Sequence, residues 1–113
     1  MKRALGTLGL CRKAGKLIYG FDSVTEEIKK PKNTVGGVVL ADDLSEKSKK
    51  EVRYVSDKYG VAVALPGVTM DELKSVTGKH TGIVAILDKG LFRAITDTSN
   101  KPEKTSVKLG DIE

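Results

Sequence analysis

The side chains best placed to do chemistry are cations beside helix starts. In the stretch ALGTLGLCRKAGKLIYG, residues 4–20, an apolar helical face gives way to Arg12, Lys13 and Lys16 and then to the mouth of a second helix. The first backbone N–H groups of a helix lack partners, and its dipole places partial positive charge there. Nearby cations therefore add to one spot that attracts phosphate. A second loop, Gly78-Lys79-His80-Thr81-Gly82, stands far downstream between a helix and a strand. It supplies Lys79, His80 and glycines that permit close backbone approach. Together with Lys30 and the turn Gly20-Phe21-Asp22-Ser23, the two loops can converge on one edge and hold a bent polyanionic strand.

Other chemistries have weaker support. Cys11 and His80 are the only thiol and the only imidazole, so neither has a partner of its own kind for a metal. Cys11 lies within an apolar helical stretch and reads as a buried structural thiol, and His80 reads as a loop residue. The pair Asp42-Asp43 ends a central strand, where carboxylates can gather Mg or accept a phosphoryl group, but Asp43 with Ser45 equally suits a helix cap. The acid order of a receiver domain is not visible. No glycine-rich phosphate cradle occurs, because Gly36-Gly37 precedes a strand. The expectation is a non-enzymatic protein with no metal and no cofactor.

The charge balance agrees with a polyanion-binding face. Lys and Arg number 20 against 15 Asp and Glu, for a formal charge of +5. Residues 1–60 hold 13 of the basic and 8 of the acidic side chains, and the remainder holds 7 and 7. The excess lies upstream, although a mildly basic surface also serves solubility alone. One cysteine cannot form an internal disulfide, and no apolar run approaches the roughly 20 residues of a membrane helix. Arg12 and Lys13 interrupt the apolar opening, which excludes a signal-peptide reading. A cytoplasmic setting without membrane contact is expected.

These residues must be positioned by alternating helices and strands. Spacing of Leu5, Leu8 and Leu10 with Ala4 and Ala14 predicts a helix over 2–14, stopped by Gly15. A short strand follows at 17–19. Asp22 or Ser23 caps a helix running to about Lys30, with Val24 and Ile28 inward and Pro31 ending it. The run Val38 to Ala41 lacks alternation and reads as a central strand covered on both faces. Ser45 opens a helix to Tyr59, whose buried stripe is Val52, Val55 and Tyr59. Residues 61–65 read as a second buried strand, Thr69 to Glu72 as a capping box, 82–87 as a third strong strand, and Leu91, Phe92 and Ile95 as a short closing helix.

The pattern predicts the α/β class: a three-layer α/β/α sandwich with a mixed sheet of about four strands. Residues 1–96 form its single domain. Residues 97–113 mix charges with Ser, Thr, Pro and Gly and are expected to form a disordered charged tail.

Taken in order, LGLCRKAGKLIYG, VVLADDLSEKSKKEV, DKYGVAVAL and DELKSVTGKHTGIVAILD resemble the ribosomal protein superfamily of the L seven Ae and L thirty e proteins, in particular its small bacterial YlxQ-type members. The resemblance covers about residues 2–95. It implies binding of kink-turn RNA, in which the family's second helix opens with a Gly-x-Asn-Glu-x-x-Lys pattern that reads sheared G·A pairs while backbone amides meet phosphates. Here Gly20 is kept, whereas Asp22 replaces the Asn, Ser23 the Glu and Glu26 the Lys; Lys30 matches a basic position one turn later. Asp22 lacks the amide donor of Asn, and Glu26 puts repulsion where attraction stood. The family's second contact loop matches Gly78 to Gly82, with Lys74 where many members have glycine.

The resemblance therefore implies an RNA-binding protein of ribosomal type, recognising bent or bulged structured RNA, with ribosomal RNA as a candidate. Lys13, Lys16, Lys30 and Lys79 would neutralise phosphates, with His80 and Thr81 in the second loop. Gly20 and Gly82 would allow close approach. Phe21, Asp22, Ser23, Thr25 and Glu26 would line the helix mouth. The alternative is a protein-interaction module on the same fold, with weakened RNA affinity and a partner in the translation machinery.

Overall fold

Two apolar runs without alternation set the centre of the architecture. In a computed structural model, which describes residues 3–99, the elements run α1 (Arg3–Lys13), β1 (Leu17–Tyr19), α2 (Phe21–Lys29), β2 (Gly37–Leu40), α3 (Glu46–Lys58), β3 (Val63–Ala64), α4 (Met70–Thr77), β4 (Ile83–Ile86) and α5 (Lys89–Ser99). The sheet order is β1-β4-β2-β3. Both β2 and β4 are therefore central, and every residue of each is buried. β4 runs antiparallel to β1 and β2, while β2 and β3 are parallel.

Successive strand side chains point to opposite faces, which splits the core into two layers. On one face Leu8 and Cys11 of α1, Leu73 of α4 and Phe92 and Ile95 of α5 pack with Val39, Val84 and Ile86. On the other, Val24 and Ile28 of α2 and Val52 of α3 pack with Val38, Leu40, Ile83 and Ala85. This is the mixed-sheet α/β/α sandwich expected from the sequence. Gly37 permits the close approach of α5, since a β-carbon there would collide with the Phe92 ring.

Three expectations need correction. The strand expected over 61–65 is only Val63–Ala64, because it pairs on one side at the sheet edge, and Ala62 is exposed. Tyr59 does not join the buried stripe of α3. It is the C-cap residue, 43% exposed, with the Lys58 Nζ 5.9 Å from its ring centroid. The closing helix α5 continues to Ser99, past the expected boundary at residue 96. The rest of the expected tail, 100–113, lies outside the described residues.

Candidate nucleic-acid interface

Strand directions bring three helix starts to one end of the sheet. Tyr19 lies opposite Val84 and Leu40 opposite Ile83, so the chain leaves β1 and β2 at the end where β4 begins. Because β3 is parallel to β2, α4 starts at that end too. α2, α3 and α4 therefore direct the positive ends of their dipoles to the same side of the molecule.

Two of the three mouths carry side-chain caps. The Ser45 Oγ accepts from the Ser48 amide at 3.2 Å at the start of α3. On α4, Thr69 and Glu72 form the expected capping box, with bonds of 3.1 and 2.9 Å. Its first amide, on Met70, donates to Asp43 Oδ1 at 2.9 Å. Asp43 is thus a cap, on α4 rather than on the helix that follows it in sequence. Asp42 turns its carbonyl to Lys49 Nζ at 2.8 Å. Among the described residues no group of three or more His, Cys, Asp or Glu could hold a metal.

The mouth of α2 is different. Its N-cap is Gly20, with no side-chain hydrogen bond, so neither Asp22 nor Ser23 acts as the expected cap. Gly20 sits at φ 89°, ψ 156°, a region open in practice only to glycine. Its carbonyl accepts from the Val24 amide at 3.0 Å, and its own amide donates to the Ile83 carbonyl at 2.9 Å. The amides of Phe21, Asp22 and Ser23 then have no acceptor within the helix and none from a capping side chain. All three residues are exposed, Phe21 at 37%.

The second loop meets this mouth through Ile83. Gly78 ends α4 in the left-handed region, at φ 76°. The Thr77 hydroxyl accepts from the Lys79 amide at 3.2 Å, and the Thr81 hydroxyl accepts from the Ile83 amide at 3.2 Å. These bonds hold both ends of the loop and leave the side chains of Lys79 and His80 exposed. Gly82 is buried. A β-carbon there would stand 3.0 Å from Leu44 Cδ1 and 3.2 Å from Met70 Cγ, so packing, not ligand approach, accounts for this glycine.

The expected ring of lysines is not assembled at the mouth. The Lys16 carbonyl accepts from the Leu87 amide at 2.8 Å, which puts Lys16 at the opposite end of the β1–β4 pair from Gly20. Three strand residues separate the two, roughly 13 Å over four steps at 3.3 Å per residue. Lys13 is exposed at the last turn of α1. Lys30 follows the last turn of α2, roughly 15 Å along the axis from Gly20, and pairs with Glu27 at 3.0 Å. Thr25 is also turned away: it is buried, and its hydroxyl donates to the Phe21 and Asp22 carbonyls at 2.9 and 3.2 Å. Glu26 is exposed one turn into the helix. Arg12 reaches the second loop instead, its Nη1 3.4 Å from the Val76 carbonyl beside Gly78.

Cys11 is fully buried, and its thiol is pushed above its ordinary value by desolvation, with the Asp88 charge adding to the rise. It belongs to the core.

The sequence matches the model of the ribosomal protein L7Ae/L30e/S12e/Gadd45 family over residues 2–95, a span that includes both loops. A protein of Enterococcus faecium named RNA-binding protein YlxQ is 32% identical over 92 residues, which are 81% of this chain and 86% of that protein. A solved structure from Bacillus halodurans, described as a protein with unknown function, shares the fold at a TM-score of 0.80. It is 24% identical and covers 89% of this chain and 100% of its own. With the α/β/α sandwich, the opening helix, the Gly20 turn and the second loop all inside the matched span, the chain belongs to the ribosomal protein L7Ae/L30e/S12e/Gadd45 family, as a bacterial YlxQ-type member.

Proposed function

We propose that this protein binds structured RNA without catalysing a reaction, and that it prefers a bent, kink-turn-like element laid across the mouth of α2 and the 78–82 loop. The observation that carries the reading is the uncapped α2 mouth. Of three helices opening on one side, two carry side-chain caps from Ser45, Thr69 and Asp43, and α2 alone has no side-chain cap. Uncapped amides with a dipole behind them suit a phosphate or a base acceptor. Asp22 and Glu26 supply the complementary half, since a carboxylate accepts from the amino group of a base. Lys79 and Arg12 flank the second loop as the nearby cations. Family membership and the RNA-binding relative in Enterococcus faecium support the same reading.

The test is titration against a kink-turn RNA and a straight duplex of equal length at two salt concentrations. Tighter binding to the bent RNA at both concentrations is the expected result. Equal affinity for the two would reduce the mouth to a general phosphate surface, and binding to neither would favour a protein-docking role for Phe21, Asp22 and Glu26.

A further inference from the structure

We infer that the outer face of α3 is a second RNA-binding surface, one that takes a single-stranded segment by stacking a base on Tyr54 and holding the adjoining phosphates with Lys47, Lys50 and Lys58. Tyr54 is 70% exposed, the most exposed large hydrophobic side chain among the described residues. Inward packing of α3 is supplied by Val52 and Ser56, with Val55 half-buried, so Tyr54 covers no core.

Its neighbours are arranged by helical period. At 3.6 residues per turn, Lys47, Tyr54 and Lys58 fall within an arc of roughly 40°, with Lys50 roughly 40° further round. The track from Lys47 to Lys58 is roughly 16 Å long at 1.5 Å per residue. All four residues are exposed, and none of the three lysines makes an ion pair with another described residue. The acid in the first turn, Glu46, is engaged by Lys49 at 3.2 Å, which leaves Glu51 and Asp57 at the two edges of the track.

An aromatic between lysines suits a single strand better than a duplex. In a single strand each base offers an open face for stacking and each phosphate a charge, whereas duplex bases are already stacked on one another. Position also matters. α2 and α3 pack on the same face of the sheet, and Ser45 opens α3 at the end where α2 begins. A strand leaving the α2 mouth would meet Lys47 first and run on toward Lys58. The inference rests on the RNA reading of the protein, but it places contacts on a face that the mouth does not use.

The experiment titrates an oligouridine of about ten nucleotides, within the span of single-strand sites, against the full chain and three variants, following tyrosine fluorescence and binding. Tyr54→Ala is expected to weaken binding about tenfold or more, and Tyr54→Phe to keep it. Lys47→Gln with Lys50→Gln is expected to lower the salt slope by about 1.4 units, from two lost single-strand phosphate contacts. Oligouridine binding that ignores Tyr54→Ala, or no oligouridine binding at all, would overturn the inference. Kink-turn RNA without single-stranded ends is titrated in parallel and should bind Tyr54→Ala as it binds the parent. Loss of bent-RNA preference while oligouridine still depends on Tyr54 would count against the mouth alone.

Discussion

The Gly20 amide donates to the Ile83 carbonyl at 2.9 Å, which ties the first residue of the α2 mouth to the strand that follows the 78–82 loop. Residues 63 positions apart are thereby joined at one end of the sheet.

Gly20→Ala tests that tie. The added β-carbon would meet nothing within 4 Å, so any cost comes from the backbone angles alone. A non-glycine residue held in that region costs about 1–3 kcal/mol. A denaturant melt should show a loss in that range, and kink-turn RNA affinity should fall with it as the mouth relaxes. An unchanged melt would mean that the turn can be remade without positive φ.

Lys79→Glu and Lys16→Glu separate the two ends of β1. Lys79 is exposed on the loop that meets the mouth, whereas Lys16 lies beside Leu87 at the far end. Charge reversal at Lys79 should weaken bent-RNA binding and lower the salt slope by about one unit, as for the loss of one phosphate contact. Reversal at Lys16 should leave the preference for bent over straight RNA intact. Titrations at several salt concentrations measure both.

How much the residues alone reveal depends on how far apart the interacting groups stand in sequence. The Thr69–Glu72 capping box spans three residues and is legible as a local pattern. So are the helix with Val24 and Ile28 inward and the two central strands. The Asp43 cap on Met70 spans 27 residues and leaves no local sign. The positions of Lys16 and Lys30 depend on β1 running antiparallel to β4 and on the length of α2, and nearness to Gly20 in the chain misleads on both. The lysines around Tyr54 are visible as helical spacing, but only the observed inward face of α3 turns them into a track.

Cys11 should be chemically silent in the folded protein. It is the sole cysteine, fully buried, with its thiol pushed up by desolvation and then by Asp88. Labelling with a disulfide reagent at mildly alkaline pH should be slow until denaturant is added, and then complete. The folded state holds this proton more tightly than the unfolded one. The stability it contributes is therefore fully present below the ordinary thiol value of about 8.5 and declines as pH rises toward the higher folded value. Fast labelling under native conditions would mean that α1 opens locally.

Asp43→Ala and Asp43→Asn distinguish a capping carboxylate from a metal ligand. In the fold, Asp43 Oδ1 accepts from the first amide of α4, next to the Thr69–Glu72 box, and Met70 of that first turn packs against the site of Gly82. Alanine removes the acceptor and should cost about 0.5–2 kcal/mol, the usual loss for a cap. Asparagine keeps a side-chain oxygen at the same place and should retain most of that stability. Thermal melts of the three proteins with and without millimolar Mg should therefore rank parent, Asn, Ala and show no added stabilisation by the cation. A rise in Tm with Mg in the parent that vanishes in the Asn variant would instead make Asp43 a ligand, because a ligand that binds only the folded state raises its stability with concentration. Since Asp43 and Gly82 both contact the first turn of α4, the Ala variant should also loosen the second loop, and bent-RNA affinity should fall further than in the Asn variant.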